Sequence, residues 1–310
     1  MRIAVLDLGT NTFNLLIAEK RNDQGIDILH RTKYPAKLGE GGIHKSFIAP
    51  KAMKRGLDAV LHHYEMIKEY NCNKTIAFAT SAIRSANNGK EFVKILKDRF
   101  DLDVNIIDGD QEADLIHKGV SYSMDLGEEP ELIMDIGGGS TEFIIANKKR
   151  LFWKHSFNAG AARLLEEINP SDPIQNEEVN NTKIWLAQEL NSLYEKVKEY
   201  KPKRLIGCAG SFESISFVIA HRENNPQKYE GYVHYPINIH KFYELYHLFL
   251  NSTISERLAI KGLEPVRADM IVMASILISE VIENCNIIKL HCTTYALREG
   301  VLFEELYDRL

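Results

Sequence analysis

The sequence predicts an α/β protein made of two related domains, each built on a mixed sheet, that face one another across a cleft. Three observations carry that expectation. Two distant stretches, Asp7-Leu-Gly-Thr-Asn-Thr-Phe-Asn-Leu-Leu-Ile-Ala18 and Asp135-Ile-Gly-Gly-Gly-Ser-Thr-Glu-Phe-Ile-Ile-Ala146, align without a gap. They share an Asp, an aliphatic residue, a Gly, a Thr or Ser, and an apolar run closing on Ala. Each half runs through three strand signals and then alternates helix with strand, as duplicated α/β domains with mixed sheets would. Between the halves, Leu126-Gly-Glu-Glu-Pro130 gathers turn formers at a candidate boundary. At 310 residues the chain is long enough to bury two cores.

In the first half, strand signals over 3–6, 13–19 and 26–32 come first, with Asn22-Asp23-Gln24-Gly25 as the turn before the third. A loop, Lys37-Leu-Gly-Glu-Gly-Gly-Ile43, precedes a helix over 50–70, whose apolar residues Met53, Leu57, Val60, Leu61, Tyr64 and Ile67 recur at helical spacing. A strand over 75–79 runs into a helix start at Thr80-Ser-Ala-Ile-Arg84. A helix over 91–99, a strand over 104–107 and a helix from about residue 110 complete this half. The pattern then restarts, with strands over 132–136, 142–146 and 151–156, a strand over 204–207, and long helices over 177–200 and 268–284.

Composition narrows the function classes. A formal charge of −5 argues against broad coating of nucleic acid but leaves room for a local anion site. The cysteines at 72, 208, 285 and 292 form no C-x-x-C pair and no zinc-like spacing, so reduced cytoplasmic thiols are expected. The apolar start meets Asp7 too soon for a signal peptide, and no later apolar run reaches membrane-spanning length. A soluble, cytoplasmic protein without a membrane partner is the expectation. The histidines, in no metal-like spacing, read as surface or satisfied core residues.

The two aligned phrases are strand, Gly turn, strand. A turn of that kind can fold its N–H groups into a nest for an anionic oxygen, and the Asp at the strand end supplies charge for a cation bridging the same phosphate. Asp135-Ile-Gly-Gly-Gly-Ser-Thr-Glu142 is the more specific. Three glycines after a buried strand cost backbone entropy, which close approach to a ligand would justify, as would a plain hairpin. Asp135 and Glu142 sit where they can hold Mg²⁺ directly or through water. Arg84 reads locally as either a charge-stabilising cation or a solvated surface residue. Glu112, near a helix start, reads as a carboxylate complementing the helix dipole or as a base for water, with Asp110 and Asp114 in competition. Gly207-Cys-Ala-Gly210-Ser211 is a second strand–helix turn able to receive phosphate or nucleotide, or a simple tight connection.

Taken in order, these motifs resemble the exopolyphosphatase/guanosine pentaphosphate phosphohydrolase (Ppx/GppA) family of the actin-like (ribonuclease H-like) ATPase superfamily. The resemblance runs through Asp7-Leu-Gly-Thr-Asn-Thr, Ala79-Thr-Ser-Ala-Ile-Arg84-Ser-Ala, Gly109-Asp-Gln-Glu112-Ala and Asp135-Ile-Gly-Gly-Gly-Ser-Thr-Glu142. It continues through Gly160-Ala-Ala-Arg163-Leu, Ala209-Gly-Ser211, Arg267-Ala-Asp269 and Leu297-Arg-Glu-Gly300. It implies Glu112 as the base that activates water and Arg84 as phosphate ligand and charge stabiliser. It implies Asp135 and Glu142 as a site for Mg²⁺ or another hard divalent cation. Phosphate binding falls to Asp7, Gly9, Thr10, Asn11, Thr12, Gly137, Gly138, Gly139, Ser140, Gly210 and Ser211, the last two also being where a base pocket would stand in the pppGpp alternative. It also implies discontinuous domains, 1–126 plus 296–310 and 127–295, and a homodimer. Gln111 and Lys37 depart from the common Glu and Arg of the family, and beyond Leu310 the helical region of longer members is absent, as in a short form. The implied activity is Mg²⁺-dependent removal of the terminal phosphate of inorganic polyphosphate. The rivals are the same chemistry on guanosine pentaphosphate (pppGpp) and a non-hydrolytic nucleotide- or phosphate-sensing module.

Overall fold

The computed structural model describes residues 1–21 and 25–308. The turn expected at Asn22-Asp23-Gln24-Gly25 therefore falls, but for its last residue, outside the described residues. Strands β1 (Arg2–Leu8), β2 (Thr12–Lys20) and β3 (Ile26–Pro35) form a meander, followed by α1 (Pro50–Glu69), β4 (Lys74–Ala79), α2 (Ser81–Ser85), α3 (Gly89–Phe100), β5 (Val104–Ile106) and α4 (Gly109–Ser123). The second half repeats the theme with β6 (Glu131–Ile136), β7 (Thr141–Ala146), β8 (Leu151–Phe157), α5 (Ala161–Ile168), α6 (Asn176–Glu189), α7 (Asn191–Tyr200), β9 (Arg204–Cys208) and α8 (Ala209–Arg222). It continues with β10 (His234–Ile237), α9 (Ile239–Leu250), α10 (Ile254–Leu258), α11 (Ile271–Asn284), β11 (Lys289–Thr293) and α12 (Leu297–Phe303). A π-helical turn, Glu304–Asp308, ends the described chain.

The first sheet has the order β3-β2-β1-β4-β5 and the second β10-β11-β9-β6-β7-β8. In both, the meander is antiparallel while the strands beyond its first member run parallel to it. Two mixed sheets with the same internal order make this the duplicated α/β architecture that the repeated phrase foretold. The edge strand β10, antiparallel to β11, is an addition to the second sheet.

Alternation along the central strands sorts side chains into three layers, because successive residues of a strand face opposite ways. Ala4, Leu6 and Leu8 of β1 face a core shared with residues of α1 and α3, including Val60, Phe92 and Leu96. Ile3 and Val5 face the opposite way, into a cluster with Ile116 and Val120 of α4, Val301 and Leu302 of α12, and Ile133, Ile144 and Ile206 of the second sheet. Leu132, Met134 and Ile136 of β6 face an outer core under α8, α9 and α11. α4 and α12 thus form a layer between the two sheets. They cross closely enough that a Cβ on Gly119 would lie 2.1 Å from the Ala296 carbonyl oxygen, and one on Gly300 would lie 1.8 Å from that of Leu115.

Two expectations need correction. The helix expected over 177–200 is two helices, broken at Leu190 (φ −88°, ψ 13°), whose side chain is fully buried. No Gly or Pro marks that break in the sequence. The helix expected over 268–284 begins at Ile271, preceded by a 3₁₀ turn at Pro265–Arg267. No helix among the described residues is long and apolar enough to cross a membrane.

Candidate active site

The two glycine turns meet in the wall of a cavity of about 410 Å³. They are built alike. A Cβ on Gly9 would lie 2.8 Å from the Thr12 carbonyl oxygen, and one on Gly137 would lie 2.9 Å from that of Ser140. These are equivalent positions of the aligned phrases, and neither turn has room for a side chain there. The turns also touch each other: a Cβ on Gly138 would meet Thr10 Cβ at 2.9 Å, and one on Gly139 would meet Thr10 Oγ1 at 2.8 Å.

Each turn is held from behind by backbone donors. Ala161 N–H donates to the Gly137 carbonyl, and the N–H groups of Ala162 and Arg163 both donate to that of Gly138, at 2.9 Å each. Arg163 Nε adds a 2.8 Å bond to the Gly139 carbonyl. In a trans peptide the carbonyl and the following N–H point opposite ways. The N–H groups of Gly138, Gly139 and Ser140 are therefore turned away from α5. The first turn is supported the same way by Leu38 N–H on the Thr10 carbonyl and Lys37 N–H on that of Asn11, both at 2.7 Å. The result is a pair of adjoining N–H cradles on one cavity, suited to a chain of phosphates.

Five carboxylates line this cavity: Asp7, Glu112, Asp135, Glu142 and Glu213. Asp7 and Asp135 end equivalent strands, and the residue opposite each differs instructively. Asn14 stands opposite Asp7 and donates to it at 2.8 Å. Glu142 stands opposite Asp135, so a second negative charge replaces the amide. Burial, then the charges of Glu142 and Asp7, push Asp135 up to about 8, against the pull of Arg298 and Arg267. Burial also raises Asp7 and Glu142, the latter held back by a 2.7 Å hydrogen bond from Ser156 Oγ.

Glu112 sits in the first turn of α4, whose start is fixed by a capping box. Asp108 accepts from Gln111 N–H at 2.8 Å, and the Gln111 side chain accepts from Asp108 N–H at 3.1 Å. Gln111, the departure noted in the sequence, is thus a capping residue. Burial first, then the Glu142 charge, raise Glu112 well above the usual carboxylate range. Arg84 opposes that shift: it donates to Glu112 Oε2 at 2.9 Å and to the Ile107 carbonyl at 3.0 Å. The surface reading of Arg84 is thereby corrected, since its side chain is only 23% exposed. Arg84 does not itself line the cavity; it stands behind Glu112. Asp114 is taken by Lys154 at 2.5 Å on the outer side of α4, which leaves Glu112 as the carboxylate of this helix that reaches the cavity.

The remaining candidates divide. Gly9, Thr10, Asn11, Thr12, Gly137, Gly138, Gly139, Ser140 and Gly210 all line the cavity, whereas Ser211 is buried outside its wall. A Cβ on Gly210 would lie 1.8 Å from a terminal nitrogen of Arg267, so that guanidinium fills the space above the turn. Sequence reasoning assigned no role to Arg31, Lys33, Arg267 and Arg298, which line the cavity. The last two fall within motifs already singled out, and that was the available signal. At the rim, Lys37 pairs with Asp269 at 2.9 Å, Lys33 pairs with Glu264, and His44 lies 3.1 Å from Glu167.

The donor set suits a hard cation. Among the described residues no three His, Cys, Asp or Glu side chains form a ready metal cage. Mg²⁺ seldom needs one, being held by one or two carboxylates with water and phosphate oxygens completing its shell. Burial raises the pKa of Asp7, Glu112, Asp135 and Glu142, and a cation among them would favour their charged forms.

The model of the Ppx/GppA phosphatase family matches residues 16–309. The crystal structure of an exopolyphosphatase from Cytophaga hutchinsonii is similar at 36% identity and a TM-score of 0.95, over 99% of this chain and 98% of that one. The Aquifex aeolicus member of the Ppx/GppA family is similar at 25% identity and a TM-score of 0.80, over 100% and 98% of the two chains. A bifunctional 3-dehydroquinate synthase/phosphatase from Fusobacterium nucleatum is 31% identical over 90% of this chain, which spans 43% of that longer protein.

Proposed function

The chain belongs to the Ppx/GppA phosphatase family, and on that premise we propose that it is an exopolyphosphatase, hydrolysing the terminal phosphate of inorganic polyphosphate. The observation that carries the reading is the adjoining pair of glycine cradles with Glu112 beside them in one cavity. The N–H groups of the two turns hold the last phosphoryl groups. Arg84 engages Glu112 Oε2 and leaves Oε1 to accept a proton from water. That water attacks the terminal phosphorus in line. The bond from phosphorus to the bridging oxygen breaks, and the shortened chain leaves with the electron pair. Burial raises the pKa of Glu112 and so strengthens it as a proton acceptor.

Mg²⁺ or another hard divalent cation is proposed at Asp135 and Glu142, where it would neutralise charge on the phosphate oxygens. Closure of the rim, bridged by Lys37 and Asp269, would exclude bulk water. Polyphosphate is favoured over pppGpp by the turn at Gly210. The room that a base would need there is filled by Arg267, and Ser211 lies off the cavity wall.

The test is phosphate release with Mg²⁺ from long polyphosphate, tripolyphosphate, pppGpp and ATP in parallel. The proposal expects polyphosphate to be the best substrate. Faster release from pppGpp would move the assignment to the alarmone, and no release from any by folded protein would favour a sensor.

A further inference from the structure

We propose that Ser156 is a positioning residue that sets Glu142 against the helix carrying Glu112, so that the two carboxylates keep one separation across the cleft. The proposal deepens the hydrolase reading and rests on it. Three contacts carry it. First, Ser156 on β8 stands directly opposite Glu142 on β7, and its hydroxyl donates to Glu142 Oε1 at 2.7 Å. Second, the first residue of α4 rests on that same serine. A Cβ on Gly109 would lie 2.4 Å from Ser156 Cβ and 2.8 Å from its Oγ, so only glycine lets the helix sit this close. Third, Lys154, two residues back and on the same face of β8, donates to the Asp110 carbonyl at 3.0 Å and to Asp114 at 2.5 Å.

β8 therefore grips the first turns of α4 at Gly109, Asp110 and Asp114, and Glu112 lies between those points in the chain. The same strand ties the Glu142 carboxylate to β8 through the Ser156 hydroxyl, and the Ser140 side chain adds a second hydrogen bond to it from the glycine turn. A displacement of α4 against β8 must pass through Ser156 and reach Glu142. Alanine or larger residues would either drop the hydrogen bond or collide with Gly109, and serine does neither.

The experiment compares wild type with Ser156→Ala and Gly109→Ala. It reads kcat and KM on tripolyphosphate, the dissociation constant of Mn²⁺ alone by electron paramagnetic resonance, and the orientation of Glu142 in crystals. Removing a group that orients a metal-binding carboxylate typically costs about tenfold or more in affinity or rate. For Ser156→Ala the expected result is a kcat about tenfold lower, a KM within about twofold, weaker Mn²⁺ binding and a Glu142 side chain in a different rotamer. Gly109→Ala, which keeps the hydroxyl but displaces the helix, is expected to give the same pattern and serves if Ser156→Ala does not fold. Unchanged kcat and Mn²⁺ affinity in both variants would overturn the proposal. So would a loss of kcat with Mn²⁺ affinity and Glu142 orientation unchanged, since that marks a merely structural serine. If the wild type cleaves no phosphate substrate, the hydrolase reading fails, while Mn²⁺ affinity and the Glu142 rotamer still decide the role of Ser156.

Discussion

Gly160→Ala separates close packing from backbone strain at the second phosphate cradle. Gly160 precedes α5 with φ −75° and ψ 155°, a conformation that alanine adopts freely. Its new Cβ would lie 2.5 Å from the carbonyl carbon and oxygen of Gly138 and from the Gly139 nitrogen, all of them backbone atoms. Nonbonded carbon contacts settle near ~3.5 Å, so turn and helix must part by roughly 1 Å. Overpacking of that kind costs about 1–3 kcal/mol. A 1 Å misplacement of groups that position substrate can cost about 10²-fold in rate. The expected outcome is a folded protein that melts several degrees lower, with kcat for phosphate release from polyphosphate down about a hundredfold. Gly231→Ala is the control: φ is +79° and nothing lies within 4 Å of the new Cβ. It should lose about 1–2 kcal/mol to left-handed strain and keep its kcat. A Gly160→Ala protein with wild-type kcat would refute the argument. So would a Gly231→Ala protein that loses as much activity for the same loss of melting temperature.

Further outcomes follow from other parts of the fold. Gly300→Ala places a Cβ 1.8 Å from the Leu115 carbonyl oxygen where α4 and α12 cross. A loss of about 3 kcal/mol or more is expected in urea unfolding, and an unchanged midpoint would contradict the close crossing. His63 is buried, its Nε2 is bonded to the Phe13 carbonyl at 3.0 Å, and burial lowers its pKa from 6.5 to about 4. Because the folded-state value is depressed, the unfolded chain binds the proton first as pH falls. His63 therefore costs stability progressively from pH 6.5 down to about 4, by up to roughly 3 kcal/mol. Urea midpoints at pH 7 and pH 5 should diverge less in His63→Gln than in wild type, and equal divergence would remove His63 from the acid limb.

The parts of this protein legible in its sequence are those set by local backbone demands. Asp7-Leu-Gly and Asp135-Ile-Gly announced both turns because a strand end followed by a constrained Gly leaves a mark in the chain, and the duplicated sheets followed from it. α1 was legible from its apolar spacing and Pro50. β11 was not, since Lys289–Thr293 is short and gains its burial only by pairing with β9 and β10. The break at Leu190 was hidden for the same reason: tertiary packing, with no breaker residue, ends α6. At the site, Glu112 and Arg84 looked locally like a helix-dipole carboxylate and a surface cation. Only the approach of α2 to α4 brings them to 2.9 Å. Arg31, Lys33 and Arg298 turn inward only because the two halves face each other, and no local pattern encodes that.

The central claim is that Glu112 takes the proton from the attacking water, and Glu112→Gln tests it most directly. Glutamine keeps the size of the side chain and loses its ability to accept that proton. Phosphate release from polyphosphate with Mg²⁺, measured beside circular dichroism, should show kcat lowered by about 10²–10⁴-fold with the fold intact. A Glu112→Gln protein that releases phosphate at the wild-type rate would contradict the account.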